Sequence, residues 1–255
     1  MQFRDKVVLV TGASRGIGAA IARAFGREGA LVIVNYLQNA SAAAEVAEQC
    51  TAAGGDGWAM QADVRDPVAV AAMVNDVLAE TGRIDAVVNN AFRGYRFNPD
   101  TRERFQDLNW QAYREQFEGA VQGTMNVCRA VIPGMRERAS GSLINLSSNL
   151  VEHPLVPYHD YATAKAALVG FSRNLAAELG PSGIRVNCVA PGLTWPTDAS
   201  RETRESLREQ IAAQTPLRRI ATPDDVAGPI LFLASDWSRF MTGQVLYVDG
   251  GLVMR

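Results

Sequence analysis

The sequence predicts an α/β fold, a doubly wound parallel sheet with helices on both faces. Three observations lead there. Short β-branched runs alternate in strict order with longer alanine-rich stretches of helical period. The short runs are nearly continuously apolar, as strands covered on both faces must be. A glycine-rich turn follows the first run directly and opens the first helical stretch. Right-handed crossovers between parallel strands then distribute the helices over both faces.

Strands are expected over 7–10, 31–34, 58–61, 86–89, 142–146, 185–189 and 245–248, seven in all. Helices are expected near 16–28, 41–53, 67–80, 110–138, 161–179, 202–213 and 223–234. Pro67 and Pro223 stand where proline opens a helix, with Asp66 and Thr222 as their caps. Two stretches break the alternation. Residues 92–109 form a long polar and aromatic insert after the fourth strand, and residues 190–215, rich in Pro, Gly, Thr and Arg, follow the sixth. Both leave the carboxyl ends of strands, where doubly wound sheets bind ligands, so both are expected to wall a substrate site. No linker, repeat or low-complexity tract divides the chain, and 1–255 reads as a single domain.

Composition narrows the function. Lys+Arg number 25 and Asp+Glu 27 in 255 residues, a net charge of −2 that speaks against a nucleic-acid binder. Hydrophobic content of 47% is that of an ordinary folded protein. Cys50, Cys128 and Cys188 are far apart, without C-x-x-C spacing, and read as buried thiols rather than a metal site or disulfide framework. The opening MQFRDKVVLVTG lacks a signal-peptide pattern, and no stretch reaches about 18 apolar residues, so a cytoplasmic protein without membrane contact is expected. Arginine dominates the bases; Lys6 and Lys165 are the two lysines.

The first strand runs into Thr11-Gly12-Ala13-Ser14-Arg15-Gly16-Ile17-Gly18 and then a helix. Glycines let the backbone turn tightly and approach a pyrophosphate, while the helix N-terminus offers free N–H groups and a positive dipole end. Such a turn alone can be merely structural; its strand-turn-helix setting points to a dinucleotide. The second strand ends in Asn35-Tyr36-Leu37-Gln38-Asn39-Ala40-Ser41, with no carboxylate before Glu45 to hold a ribose 2′-hydroxyl. Arg15 offers a fork suited to a 2′-phosphate, against the plainer reading of a solvated loop residue. NADP(H) is therefore favoured over NAD(H).

Tyr161-Ala162-Thr163-Ala164-Lys165 opens a helix, which sets Tyr161 and Lys165 one turn apart on one face. With six tyrosines and two lysines in the chain, this spacing arises by chance far less than once per sequence. A phenol with a pKa of about 10 is a poor acid–base group at neutral pH. An ammonium one turn away is expected to favour the phenolate and draw that pKa toward the working range. Ser148 closes the fifth strand, where its hydroxyl can bond a substrate oxygen; alone it would read as a turn residue.

Taken in order, the 11–18 loop, Asn89-Asn90-Ala91, Ser148, Tyr161-x-x-x-Lys165, Pro191-Gly192 and Tyr247-Val248-Asp249-Gly250-Gly251 carry a resemblance that spans the chain. It resembles the short-chain dehydrogenase/reductase family, and most of all its branch of 3-oxoacyl-acyl-carrier-protein reductases. The resemblance implies NADP-dependent reduction of a carbonyl on a Rossmann-type sheet of order 3-2-1-4-5-6-7, in a homotetramer. The substrate it implies is a small-molecule or acyl-thioester ketone. Tyr161 is then the general acid, Lys165 holds the nicotinamide ribose and tunes Tyr161, and Ser148 polarises the carbonyl. Gly12, Ser14, Arg15, Gly16, Ile17 and Gly18 cradle the pyrophosphate, with Asn35 and Tyr36 beyond them. Asp63 and Val64 edge the adenine, Asn89 and Ala91 line the cofactor, and Pro191, Gly192 and Thr194 meet the carboxamide. Another secondary-alcohol, sugar or polyol dehydrogenase is the alternative, and a non-catalytic NADP-binding regulator the minor one.

The chain departs from the family at three places. Phe92 follows Asn89-Asn90-Ala91 where the family has glycine. Ala120, in Gly119-Ala120-Val121-Gln122-Gly123, replaces a catalytic asparagine, and Gln116, one turn earlier on the same face, is expected to supply the missing amide. Ala139 and Ser182 occupy the positions of carrier-docking arginines, with Arg136 and Arg138 close by. His153 and His159 lack a nucleophile–base arrangement. Tyr95, Arg96, Phe97 and Trp195 read equally as pocket or loop-packing residues, and the charges of 201–209 as a solvated helix face.

Overall fold

The computed structural model describes residues 3–92 and 94–254, so the insert is followed without Arg93. Seven strands form one all-parallel sheet in the order β3-β2-β1-β4-β5-β6-β7. They are β1 (Val7–Val10), β2 (Leu31–Tyr36), β3 (Asp56–Gln61), β4 (Ala86–Asn89), β5 (Gly141–Leu146), β6 (Ile184–Pro191) and β7 (Val245–Val248). The helices are α1 (Gly16–Arg27), α2 (Ala40–Ala52), α3 (Pro67–Thr81), α4 (Trp110–Phe117), α5 (Gly123–Glu137), α6 (His159–Leu179), α7 (Glu205–Gln214) and α8 (Pro223–Ala234). Strand β1 pairs with β2 on one side and β4 on the other, so the winding reverses there and leaves a crevice above the carboxyl ends.

Alternation along the strands sorts side chains between two cores. Val8, Val10, Val32, Val34 and Ile144 pack against α1, α2 and α8. Val7, Leu9, Ile33, Val87 and Leu143 pack against α3, α5 and α6. Edge strand β3 is half open to solvent. Cys50, Cys128 and Cys188 are all buried and unbridged.

Local chemistry sets the helix starts. The Asp66 carboxylate accepts from the Val68 and Ala69 N–H groups at 2.8 and 3.3 Å ahead of α3. At α8 the Asp225 carboxylate accepts from both the backbone N–H and the hydroxyl of Thr222. The helix expected over 110–138 is not continuous: a π turn, Glu118–Gln122, separates α4 from α5. Its extra residue widens the helix and brings Gly119 to the wall of the crevice. The stretch 190–215 is likewise only partly loop, because β6 runs on to Pro191 and α7 begins at Glu205. Among the described residues no helix is long and apolar enough to cross a membrane, and no His/Cys/Asp/Glu cluster could hold a metal ion.

Candidate active site

A cleft of about 940 Å³ runs along the carboxyl ends of the strands, from the glycine loop to the two long loops. At one end Gly12 turns the chain with φ +62°. A Cβ on Gly18 would lie 2.5 Å from the Gly12 carbonyl, so only glycine lets α1 start this close to the loop. The end of β4 clamps the same loop. Asn90 Nδ2 donates to the Thr11 and Gly12 carbonyls at 2.9 and 3.1 Å, and Thr11 Oγ1 accepts from the Asn90 and Ala91 N–H groups.

Of the expected cofactor contacts, all but Asn89 line this cleft. Asn89 is a correction. It shares the face of Val87, and its amide nitrogen donates inward to Asn145 Oδ1 at 2.8 Å, beside the Cys128 thiol. Its Oδ1 is buried without a partner. Counting strand parity from Val87 would have given this direction. Asn35 does line the cleft, yet its amide is engaged in the framework. Nδ2 donates to the Met60 and Ala62 carbonyls, and Oδ1 accepts from Gly12 N–H. The Arg65 guanidinium holds the Asp63 carboxylate at 2.6 Å and lowers its pKa. Arg15 precedes the first residue of α1, its guanidinium largely exposed and paired with Asp198 at 2.8 Å.

At the other end Ser148, Tyr161 and Lys165 converge, all buried. Ser148 leaves β5 in extended conformation and caps a short 3₁₀ turn, its Oγ accepting from Leu150 N–H. Tyr161 is 8% exposed and hydrogen-bonded with Ser148. Lys165 is 3% exposed and donates to the Leu146 carbonyl at 2.6 Å. Its Nζ stands 5.7 Å from the Tyr161 ring centroid and 5.3 Å from that of Phe92. Burial pushes the Tyr161 phenol up to about 12, against a smaller downward pull from Ser148. Burial pushes Lys165 down to about 8. The expected drift of Tyr161 toward the working range is therefore reversed. Losing water costs the phenolate more than the neighbouring groups return, and the ammonium is engaged by Leu146. The phenol stays protonated, which is the state a proton donor needs.

No hydrogen bond joins Gln116, the expected stand-in at Ala120, to Lys165 among the described residues. Gln116 is buried in α4 and off the cleft wall, while Lys165 bonds Leu146. His153 and His159 also lie off that wall.

The two long loops close over this end together. Phe97 N–H donates to the Ala199 carbonyl at 2.8 Å, and Thr203 Oγ1 donates to the Phe97 carbonyl at 2.9 Å. Arg96 pairs with Glu202, and Arg204 with Asp100 at 2.7 Å. The charges of 201–209 are thus not simply a solvated face; Glu202 and Arg204 latch the insert. Leu207 and Ile211 of α7 also line the cleft, and sequence reading missed them because their helix looked polar.

Known proteins match this architecture over nearly its whole length. Residues 12–253 match a family model described as enoyl-(acyl carrier protein) reductase. An uncharacterised oxidoreductase of Methylorubrum extorquens is 39% identical over 98% of this chain and 99% of its own. The 3-oxoacyl-[acyl-carrier-protein] reductase of Staphylococcus aureus is 36% identical over 98% of each chain. The crystal structure of a 3-oxoacyl-[acyl-carrier protein] reductase with bound NAD from Brucella melitensis has a TM-score of 0.88 at 35% identity, covering 100% of this chain and 95% of that one. With its glycine loop and buried Tyr161–Lys165 pair on this sheet, the chain belongs to the short-chain dehydrogenase/reductase family of oxidoreductases.

Proposed function

We propose that this oxidoreductase reduces a ketone to a secondary alcohol with NADPH, reversibly, with 3-oxoacyl thioesters among the ketones to assay. The observation behind the reading is the convergence of Ser148, Tyr161 and Lys165 at one end of a cleft whose other end is the glycine loop. The residues fit a dinucleotide. Gly12 and Gly18 leave a cradle that a Cβ would fill, and Ser14, Arg15, Gly16 and Ile17 bring the α1 N-terminus to it. Asn35, Tyr36, Asp63 and Val64 then face the adenosine end, and Ala91, Pro191, Gly192 and Thr194 the nicotinamide end. When bound, the nicotinamide supplies the hydride.

The chain's own groups handle the oxygen. Ser148 donates to the substrate oxygen as negative charge develops there, and Tyr161 delivers its phenolic proton to the same atom. Lys165, anchored on Leu146, keeps a positive charge beside the phenolate that remains. With Lys165 titrating at about 8, kcat/KM for reduction is expected to fall as pH rises through that value, while Tyr161 at about 12 keeps its proton. A profile measured from about pH 6 to 10 checks this, and one flat through the alkaline limb contradicts it.

Arg15 is read as the 2′-phosphate ligand. Its pair with Asp198 is exposed and so weak, about 0–1 kcal/mol, and a phosphate that takes two charge-assisted bonds displaces it. Arg15→Ala is expected to raise KM for NADPH about tenfold while leaving NADH little changed. Equal effects on both cofactors would remove the assignment. Assays of purified protein with 3-oxoacyl thioesters, diffusible ketones, sugars and polyols, each with both cofactors, separate ketone reduction from the alternative dehydrogenases. Binding of NADP(H) with no turnover would indicate a regulator. We read the working form as a single-domain chain in a cytoplasmic homotetramer, with subunit number checked by light scattering.

A further inference from the structure

The substrate end of the cleft has an unusual lining. The rings of Tyr95 and Phe97 each lie 5.1 Å from that of Tyr161, and Phe92 lies 6.1 Å away. Tyr158 completes the group, edge-on to Tyr95 at 5.7 Å and to Phe97 at 5.3 Å. These rings are not loosely placed. Tyr95 OH donates to Asp160 at 2.8 Å on α6, next to Tyr161, and Phe97 is held from both sides by Ala199 and Thr203. The Tyr95 hydroxyl is thus directed at Asp160, which leaves its ring as the surface offered to a ligand. The paired charges of the loops, Arg96–Glu202 and Arg204–Asp100, are mostly exposed.

We propose, on the reading that this site reduces ketones, that its substrate is a compact ketone carrying an aromatic ring beside the carbonyl, and that Tyr95 and Phe97 set this preference. Phe97, Tyr95 and Tyr158 pack on one another at 5.3–5.7 Å and together line the cleft, so a planar substituent laid against their cleft side meets aromatic edges and faces. Ring quadrupoles favour such edge-to-face contacts. A linear acyl chain gains no such pairing and gives up rotamer freedom on entering. A carrier-bound chain would also need a basic surface for an acidic carrier. The expected docking positions hold Ala139 and Ser182 instead of arginines, and nearby Arg138 is spent within the chain on the Ile84 carbonyl at 2.7 Å.

The test measures kcat/KM with NADPH for acetophenone, for 2-octanone with the same carbon count, and for acetoacetyl-N-acetylcysteamine. The aryl ketone is expected to lead both others by about tenfold, the worth of one good ring contact. In Tyr95→Ala and Phe97→Ala that lead is expected to shrink to within about threefold while KM for NADPH holds; Phe97→Leu serves if the alanine variants fail to fold. A lead for the linear ketone or the thioester, or an aryl lead unchanged in the variants, overturns the inference and leaves ketone reduction standing. No turnover of any ketone with either cofactor removes the underlying reading itself.

Discussion

Tyr161→Phe is expected to lower kcat for ketone reduction by about 10²–10⁴-fold, the usual contribution of a positioned proton donor. The substitution keeps the ring, and with it the contacts to Phe92, Tyr95 and Phe97, and removes the hydroxyl shared with Ser148. Losing one buried hydrogen bond costs about 1 kcal/mol, so the melting temperature is expected to move by only about 2–4 °C. KM for NADPH is expected to hold, since the lost group acts on the substrate oxygen. Steady-state kinetics with a thermal melt separate the effects. Unchanged turnover of every accepted ketone would leave the mechanism without its proton donor.

Gly18→Ala is the second large effect, on a different quantity. The added Cβ would lie 2.5 Å from the Gly12 carbonyl, 2.6 Å from Asn90 Nδ2 and 3.0 Å from Ala13 Cα. Two of these are backbone atoms that cannot swing aside. Relief requires α1 to retreat from the loop, which breaks the Asn90 bond to Gly12 and moves the N–H groups away from a pyrophosphate. Overpacking of this kind costs about 1–3 kcal/mol, or about 2–4 °C of melting temperature for each of them. The dissociation constant for NADPH is expected to rise at least tenfold, about 1.4 kcal/mol, as read by fluorescence titration. A variant with native melting and native affinity would show that the close approach carries no function.

Some of the site was legible because its information is local. The glycine loop is contiguous, and Tyr161 and Lys165 are one helical turn apart, so their convergence needs only the period of a helix. The caps at Asp66 and Asp225 follow from neighbours in the chain. The direction of Asn89 was also legible through strand parity, yet the family pattern suggested the opposite face. The latch between the loops was not legible. Its pairs, Arg96 with Glu202 and Asp100 with Arg204, lie about a hundred positions apart in stretches without periodicity. Trp195, left open between pocket and loop packing, stacks under Arg208 at 4.2 Å, a contact that no spacing rule supplies.

The sequence alone determined the sheet, the order of its elements and the residue types of the catalytic end. Hydrophobic period and short-range spacing are properties of the chain before it folds. Tertiary structure decided which way those groups lean. Burial reversed the expected shift of Tyr161, and the Leu146 carbonyl claimed the Lys165 ammonium. The insert, latched by a distant loop, set three rings, Phe92, Tyr95 and Phe97, against the phenol at the site's substrate end. Desolvation and long-range contact depend on what the folded chain places nearby, and no local pattern records that.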